Sequence, residues 1–260
     1  MQDEDSIQSI LRVLQGEPDR WALFLDIDGT LLDLALTPEG IFVPPDLPPA
    51  LNAVSQKLGG ALALVTGRAL PFADSLFAPF RFPVAGLHGA EIRLANGRAL
   101  LAQASPEFEA LKQALTEEAS QWPGVLIEDK GAAVAAHYRL APEFEHILST
   151  RMQIYADRAG PDWTLQLGKM VYEIRPSKAS KGEAIQRFML EPPFEGRLPM
   201  TLGDDLTDES MFLAANTNGG YSVRVGAQSP ETHAVGRLTG PQDVRRIIER
   251  LASNESAETL

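Results

Sequence analysis

Two carboxylates, Asp26 and Asp28, close the stretch LFLDID, with one isoleucine between them. In extended chain, side chains at i and i+2 face the same way. Two carboxylates held so repel unless a cation or a proton lies between them, and one of them can serve as a nucleophile. Three further polar groups have the same character: Thr66-Gly67-Arg68, Lys181, and Gly203-Asp204-Asp205 with Asp208 close behind. Carboxylate oxygens are hard donors that suit magnesium, which takes one or two protein carboxylates and keeps several waters. Phosphoryl transfer would use these residue types together. An anionic nucleophile attacking a phosphate dianion needs cations to screen repulsion, and hydroxyl and backbone donors to fix the oxygens. A second carboxylate can protonate the leaving alcohol and then deprotonate the attacking water.

Each group also has a plainer reading. Asp-x-Asp-Gly is a common polar turn, a reading weakened here by the apolar run before it and the Gly-Thr after it. Thr66 suits a helix N-cap or a phosphate contact, and a helix N-terminus allows both at once. Asp208 suits equally the capping of a following helix and the support of a metal site. A single lysine is by default solvated. The coincidence of four groups argues for a site, because ligands of an open parallel sheet bind beyond the carboxyl ends of its strands.

The elements that would position these groups are legible. WALFL (21–25), ALALV (61–65), FPVAG (82–86), LPMTLG (198–203) and GYSVRVG (220–226) are apolar runs fit for strands covered on both faces. Helical patterns lie between them: residues 6–15, Leu47 to Leu58, the turn into a helix of TGRALPFADSLF (66–77), 180–190 behind Ser180 and Glu183, and the loop-to-helix segment DDLTDESMFLAAN and closing PQDVRRIIERLA. Asn96-Gly97 between apolar runs marks a hairpin. From about 103 to 176 the rhythm changes to a helix and two strands, twice over: Ser105-Pro106 opens the first helix, and 142–159 forms the second. The pairs GVLIED and AAVAAHYR, then WTLQLG and KMVYEIRP, turn at Lys130-Gly131 and Gly168-Lys169. This predicts an α/β fold with a parallel sheet flanked by helices, residues 1–102 and 177–260, and an inserted α+β domain with an antiparallel sheet, residues 103–176. The last residues, SNESAETL, read as a frayed tail.

Composition bounds the function. Of 260 residues 44% are hydrophobic, enough for a substantial core, and there is no cysteine for disulfides, thiolate metal sites or thiol nucleophiles. A formal net charge of -12 opposes general binding of nucleic acid or anionic membrane. An acidic N-terminus and the lack of a long apolar run point to a soluble, cytoplasmic protein.

DIDGT, LVTGR, SKGEA and GDDLTDE, in that order, resemble the four motifs of the haloacid dehalogenase-like (HAD) phosphohydrolases. AGLHGAE (85–91), EDKGAAVAAHYR (128–139) and VYEIRPSKASKGEAI (171–185) narrow the resemblance to the trehalose-6-phosphate phosphatases, over about residues 21 to 240. The resemblance implies a HAD-like Rossmannoid core with an inserted cap, Mg2+ as cofactor, and trehalose 6-phosphate as substrate. Asp26 matches the nucleophile and Asp28 the general acid/base, whose backbone carbonyl also meets the metal. Thr66 and Lys181 match the phosphoryl-binding residues. Asp204 matches the metal-ligating aspartate, with Asp205 and Asp208 as its near partners. Gly67, Arg68, His88, Gly89 and Glu91 match core positions facing the substrate. Glu128, Lys130 and Glu173 match cap residues for the sugar, and His137, Tyr138, Arg139 and Arg175 correspond less closely. A monomer is expected, with trehalose-6-phosphate synthase as functional partner. The rival readings are a phosphatase for another sugar phosphate, such as sucrose phosphate, and a sugar-phosphate-binding regulator without turnover.

Overall fold

A computed structural model describes residues 2–35, 40–101, 104–168, 170–227 and 231–253. The chain divides into two compact units, Met1–Leu100 with Ser180–Leu260, and Leu101–Ala179. Residues 102 and 103 at the expected first junction, Lys169 at the expected turn, and the expected tail from 254 onward lie outside the described residues.

In chain order the first unit begins with α1 (Gln2–Gly16), β1 (Trp21–Leu25), α2 (Leu47–Lys57), β2 (Leu62–Val65), α3 (Leu70–Leu76), β3 (Val84–Gly86), β4 (Glu91–Arg93) and β5 (Ala99–Leu101). The second unit holds α4 (Pro106–Ala119), β6 (Leu126–Asp129), β7 (Val134–His137), α5 (Glu145–Ala159), β8 (Trp163–Gly168) and β9 (Val171–Pro176). The chain then returns with α6 (Lys181–Met189), β10 (Leu198–Gly203), α7 (Glu209–Thr217), β11 (Tyr221–Val225), β12 (Gly236–Leu238) and α8 (Pro241–Ser253).

The first unit's sheet runs β12-β11-β10-β1-β2-β3-β4-β5, parallel from β12 to β3 and antiparallel between β3 and β4. Its central strands are buried because helices cover both faces, which is why they read as unbroken apolar runs. The aromatic rings of Phe24, Phe188 and Phe194 meet at centroid separations of 5.1 to 5.9 Å. Burying one such side chain contributes about 1.5–3 kcal/mol. In register, Leu25 lies opposite both Leu202 and Leu64. The residues next along the chain, Asp26, Gly203-Asp204 and, one residue further on, Thr66, therefore emerge at one edge of the sheet.

The second unit pairs β6-β7-β9-β8 antiparallel, with α4 and α5 packed on one face. Ser105 caps α4 by accepting the Phe108 N–H. Tyr172 and Ile174 point into the helix-covered core, so Glu173 points to the opposite face by strand alternation. Glu128, Ala135, Glu173 and Gln166 lie in one cross-strand row. The alanine content of KGAAVAAHYR thus has a local consequence: Ala135 places only a methyl group between two carboxylates.

Strand β12 has no signature in the sequence. Its three residues, Gly-Arg-Leu, are too few for any alternation to register, and only the open edge of β11 makes them a strand. The expected helix at 142–159 opens with a 3-10 turn at Pro142–Phe144 before α5 begins.

Candidate active site

The apolar run of β1 ends at Leu25, and the chain turns at once. The Ile27 carbonyl accepts the N–H groups of Leu31 and Leu32 at 3.0 and 2.9 Å, and the Ile27 side chain is fully buried. Gly29 has φ +83°, and a Cβ there would collide with the Asp204 carboxylate. The turn therefore needs glycine for its backbone and for the space that Asp204 occupies.

This turn separates the two carboxylates. Asp26 points inward, is 4% exposed, and accepts a hydrogen bond from Lys181 Nζ at 2.7 Å. Asp28 instead takes the Arg68 guanidinium in a two-point pair, Nε to Oδ2 at 2.9 Å and Nη2 to Oδ1 at 2.8 Å. In extended chain the two side chains would face the same way, but the strand stops at Leu25, before Asp26, and the turn sends them apart.

Lys181 begins α6, where Ser180 accepts the Glu183 N–H as the expected cap. Its ammonium also donates to Asp208 at 2.6 Å. Asp208 is fully buried, and its other oxygen accepts the N–H groups of Asp204 and Asp205 at 2.8 and 3.0 Å. Asp205 is exposed, and with Asp208 it forms a capping box over the 3-10 turn Leu206–Asp208. The Asp208 side chain thus braces the 3-10 turn before α7 and makes no side-chain cap to α7 itself. Asp205 Oδ1 accepts the Thr207 N–H and hydroxyl and the Asp208 N–H.

Asp26, Asp204 and Asp208 each offer an oxygen within 4.8 Å of the others. One ammonium faces three carboxylates. Burial, opposed by Lys181 and reinforced by Asp208 and Asp204, holds the Asp26 carboxyl well above its usual range. Burial, Asp208 and Asp205 push Asp204 up to about 6. Burial disfavours the Lys181 ammonium, but Asp208 and Asp26 outweigh it and hold its proton more tightly than usual. This deficit of positive charge, with hard oxygen donors around it, fits a divalent cation. Asp208 already uses its oxygens on Lys181 and two N–H groups, which leaves Asp26 and Asp204 as the freer ligands.

Thr66 is fully buried behind β2, and its hydroxyl accepts the Arg68 N–H at 3.1 Å. The His88 N–H binds the Thr66 carbonyl at 3.0 Å, and the Leu87 N–H binds that of Arg68 at 3.0 Å. Leu87, His88 and Gly89 all have positive φ, a strained run braced on these contacts. The His88 ring lies against Gly67, and Gly89 lies against the Ser180 carbonyl. Glu91 accepts the Leu70 N–H at 3.1 Å and so serves the N-terminus of α3. Arg68 lies over the Phe72 ring, 4.8 Å from its centroid.

In the second unit Lys130 Nζ meets Glu173 Oε2 at 2.8 Å, while Glu173 Oε1 is buried with no hydrogen-bond partner among the described residues. Glu128 pairs with His137 at 2.9 Å. Arg139 is exposed just beyond β7. Tyr138 binds Glu145 and stacks on Tyr172, and Arg175 donates to Gln166 and the Ala179 carbonyl, so both serve the unit's own packing.

Two supporting residues escaped sequence reasoning. Thr30 donates to Asp204 Oδ1 at 3.3 Å. Ser210 accepts the Gly182 N–H and donates to the Thr207 carbonyl, both at 3.1 Å, tying the start of α6 to the Asp204–Asp208 loop. The Gly-Thr after Asp28 carried a signal for Thr30. A serine inside a helical run carried none for Ser210.

Comparison with known proteins agrees with this geometry. A probable trehalose-phosphate phosphatase of Sinorhizobium fredii is 54% identical over 94% of this chain and 92% of its own. The trehalose-6-phosphate phosphatase of Escherichia coli is 42% identical over 90% of this chain and 87% of its own. A haloacid dehalogenase-like hydrolase from B. subtilis shares the fold, with TM-score 0.63 at 18% identity, over 91% of this chain and 100% of that one. The mostly parallel sheet flanked by helices, with its inserted antiparallel module, is therefore the HAD-like α/β fold. The trehalose-phosphatase family model matches residues 24–241, and the chain belongs to that family.

Proposed function

We propose that this chain is a magnesium-dependent phosphatase that hydrolyses trehalose 6-phosphate to trehalose and inorganic phosphate. The observation that carries the reading is the buried Asp26, bonded to Lys181 at the carboxyl edge of the sheet. Asp26 and Asp204, with the Asp28 carbonyl, would hold Mg2+, which when bound screens the repulsion between carboxylate and phosphate. Lys181 orients the Asp26 carboxylate and adds a second positive charge. Thr66 and the N–H groups near it hold phosphoryl oxygens. An Asp26 oxygen attacks phosphorus, and the bond from phosphorus to the sugar oxygen breaks as a phospho-aspartyl group forms. Asp28 gives its proton to the leaving sugar oxygen, then takes one from the water that attacks phosphorus and frees phosphate. For this one Asp28 oxygen must leave Arg68.

The second unit serves in this reading as the cap that recognises the sugar. The unpartnered Glu173 oxygen supports it, because a buried acceptor without a donor is costly and a hydroxyl would satisfy it. Among the described residues no helix is long and apolar enough to cross a membrane. We place the protein in the cytoplasm as a monomer, drawing substrate from a trehalose-6-phosphate synthase.

The deciding experiment is phosphate release from trehalose 6-phosphate beside sucrose phosphate and other phosphosugars, with and without magnesium. Trehalose 6-phosphate is expected to react fastest, and a chelator to stop the reaction. Equal rates across the panel would overturn the substrate, and tight binding without multiple turnover would favour the regulator. Glu128→Ala and Glu173→Ala are expected to lower kcat/KM for trehalose 6-phosphate by about 10- to 100-fold, and to affect p-nitrophenyl phosphate far less. Equal losses on both substrates would remove these residues from sugar recognition.

A further inference from the structure

Lys112 lies on the buried face of α4, one turn after Phe108, and is 5% exposed. Nothing in the proposed chemistry uses it. Its Nζ lies 2.8 Å from Asp129 Oδ1, 2.9 Å from the Gly131 carbonyl and 2.8 Å from Glu109 Oε1. Three acceptors match the three donors of an ammonium group. Two of them flank Lys130, the residue at the tip of the β6–β7 turn. The turn is further fixed from within: Asp129 Oδ1 accepts the Gly131 N–H at 2.8 Å, Gly131 has φ +72°, and the Lys130 N–H binds the Ala133 carbonyl at 3.0 Å. Lys130 leaves this turn to meet Glu173 Oε2 at 2.8 Å.

Burying an ammonium costs several kcal/mol of desolvation, so a lysine is a poor choice for packing alone. Here it grips the residues before and after Lys130 and no part of Lys130 itself. We infer that Lys112 is a positioning residue for substrate recognition: it fixes the Asp129–Gly131 turn so that Lys130 stays against one Glu173 oxygen and leaves the other open to a sugar hydroxyl. The inference rests on the reading of Lys130 and Glu173 as sugar-contacting residues. Without the grip, the turn samples other backbone conformations and Lys130 points at Glu173 only part of the time. Recognition weakens in proportion, while chemistry on a small ester does not depend on it.

The test compares trehalose 6-phosphate with p-nitrophenyl phosphate in Lys112→Met, Lys112→Arg, Asp129→Ala and the reference Lys130→Met. Lys112→Met is expected to raise KM for trehalose 6-phosphate about tenfold, with kcat and p-nitrophenyl phosphate turnover within about twofold of the parent. Lys112→Arg should recover part of the lost affinity, because a guanidinium can still reach Asp129. Asp129 has a side chain 60% exposed, so Asp129→Ala spares the α4 core and decides the question if Lys112→Met fails to fold. It is expected to raise KM about threefold, and the two changes combined to cost less than the product of the two. An unchanged KM in Lys112→Met and Asp129→Ala, or equal losses on both substrates, overturns the positioning role. Lys130→Met separates the two failures. If it alone raises KM, sugar recognition stands and the role of Lys112 falls; if it leaves KM unchanged, both fall together.

Discussion

Asp26→Asn is expected to lower turnover of trehalose 6-phosphate by at least about a thousandfold, and yet to raise the melting temperature of the metal-free protein. The first effect follows from losing the attacking oxygen, since a carboxamide is not a nucleophile toward phosphorus. The second follows from the charge count at the carboxyl edge of the sheet. Asp26 and Asp208 bind one ammonium with the Asp204 carboxylate close by, and burial with the two neighbouring carboxylates disfavours the charge on Asp26. Asparagine keeps the shape and can still accept the Lys181 hydrogen bond, but it removes one buried charge. A gain of about 1–2 kcal/mol would move the melting temperature up by roughly 2–8 °C in a chain of this size. Added magnesium should stabilise the parent more than the variant, because a bound ion stabilises in proportion to its affinity for the folded state. Thermal melts in chelator and in magnesium, beside phosphate-release assays, measure all three. Near-parental activity in Asp26→Asn would sink the nucleophile assignment. A lower melting temperature in chelator would show that the carboxylate cluster is not strained.

Lys181→Met is expected to be worse in both respects. Methionine fills the space of the lysine stem but leaves Asp26 and Asp208, 4% and 0% exposed, without their counter-charge. Removing one partner of a buried ion pair costs about 3–5 kcal/mol, which predicts a fall in melting temperature of roughly 6–20 °C. Proton uptake by Asp26 offsets part of this, so the fall should be smaller at lower pH. Turnover should drop at least about a hundredfold to a thousandfold, because the nucleophile loses its orienting donor and the phosphate a positive charge. Lys181→Arg should not rescue activity, since a forked guanidinium cannot replace a compact ammonium between Asp26 and Asp208. Circular dichroism melts at two pH values, with single-turnover kinetics, are the measurement. A melting temperature within about 2 °C of the parent with more than a tenth of its activity would remove Lys181 from the site.

The strand in LFLDIDGTLLD and its ending near carboxylates were open to reading because local rules govern them, whereas the turn that parts Asp26 from Asp28 was not. An apolar run of this length makes a covered strand, and a carboxylate just past such a strand must lie at the sheet's carboxyl edge. The same holds for Thr66 after β2 and Asp204 after β10, so separated segments could be assigned to one place before any coordinates. The Ser105 and Ser180 caps are equally local, each a side chain meeting an N–H three residues on. Strand β12 was invisible for the opposite reason, since its identity depends on a partner strand and not on its own three residues.

By itself the sequence determined the covered strands, the inserted second unit, the capped helices and the set of charged residues gathered at one edge. Which charge meets which was decided only by the tertiary structure. Asp28 turns to Arg68, Asp208 joins Asp26 around Lys181, and Lys112 reaches across its own unit to hold the turn around Lys130. Periodicity and capping depend on neighbours within a few residues and can be read along the chain. The direction of a carboxylate depends on where the backbone stops being extended and on cations from segments tens of residues away, and only folding brings those together.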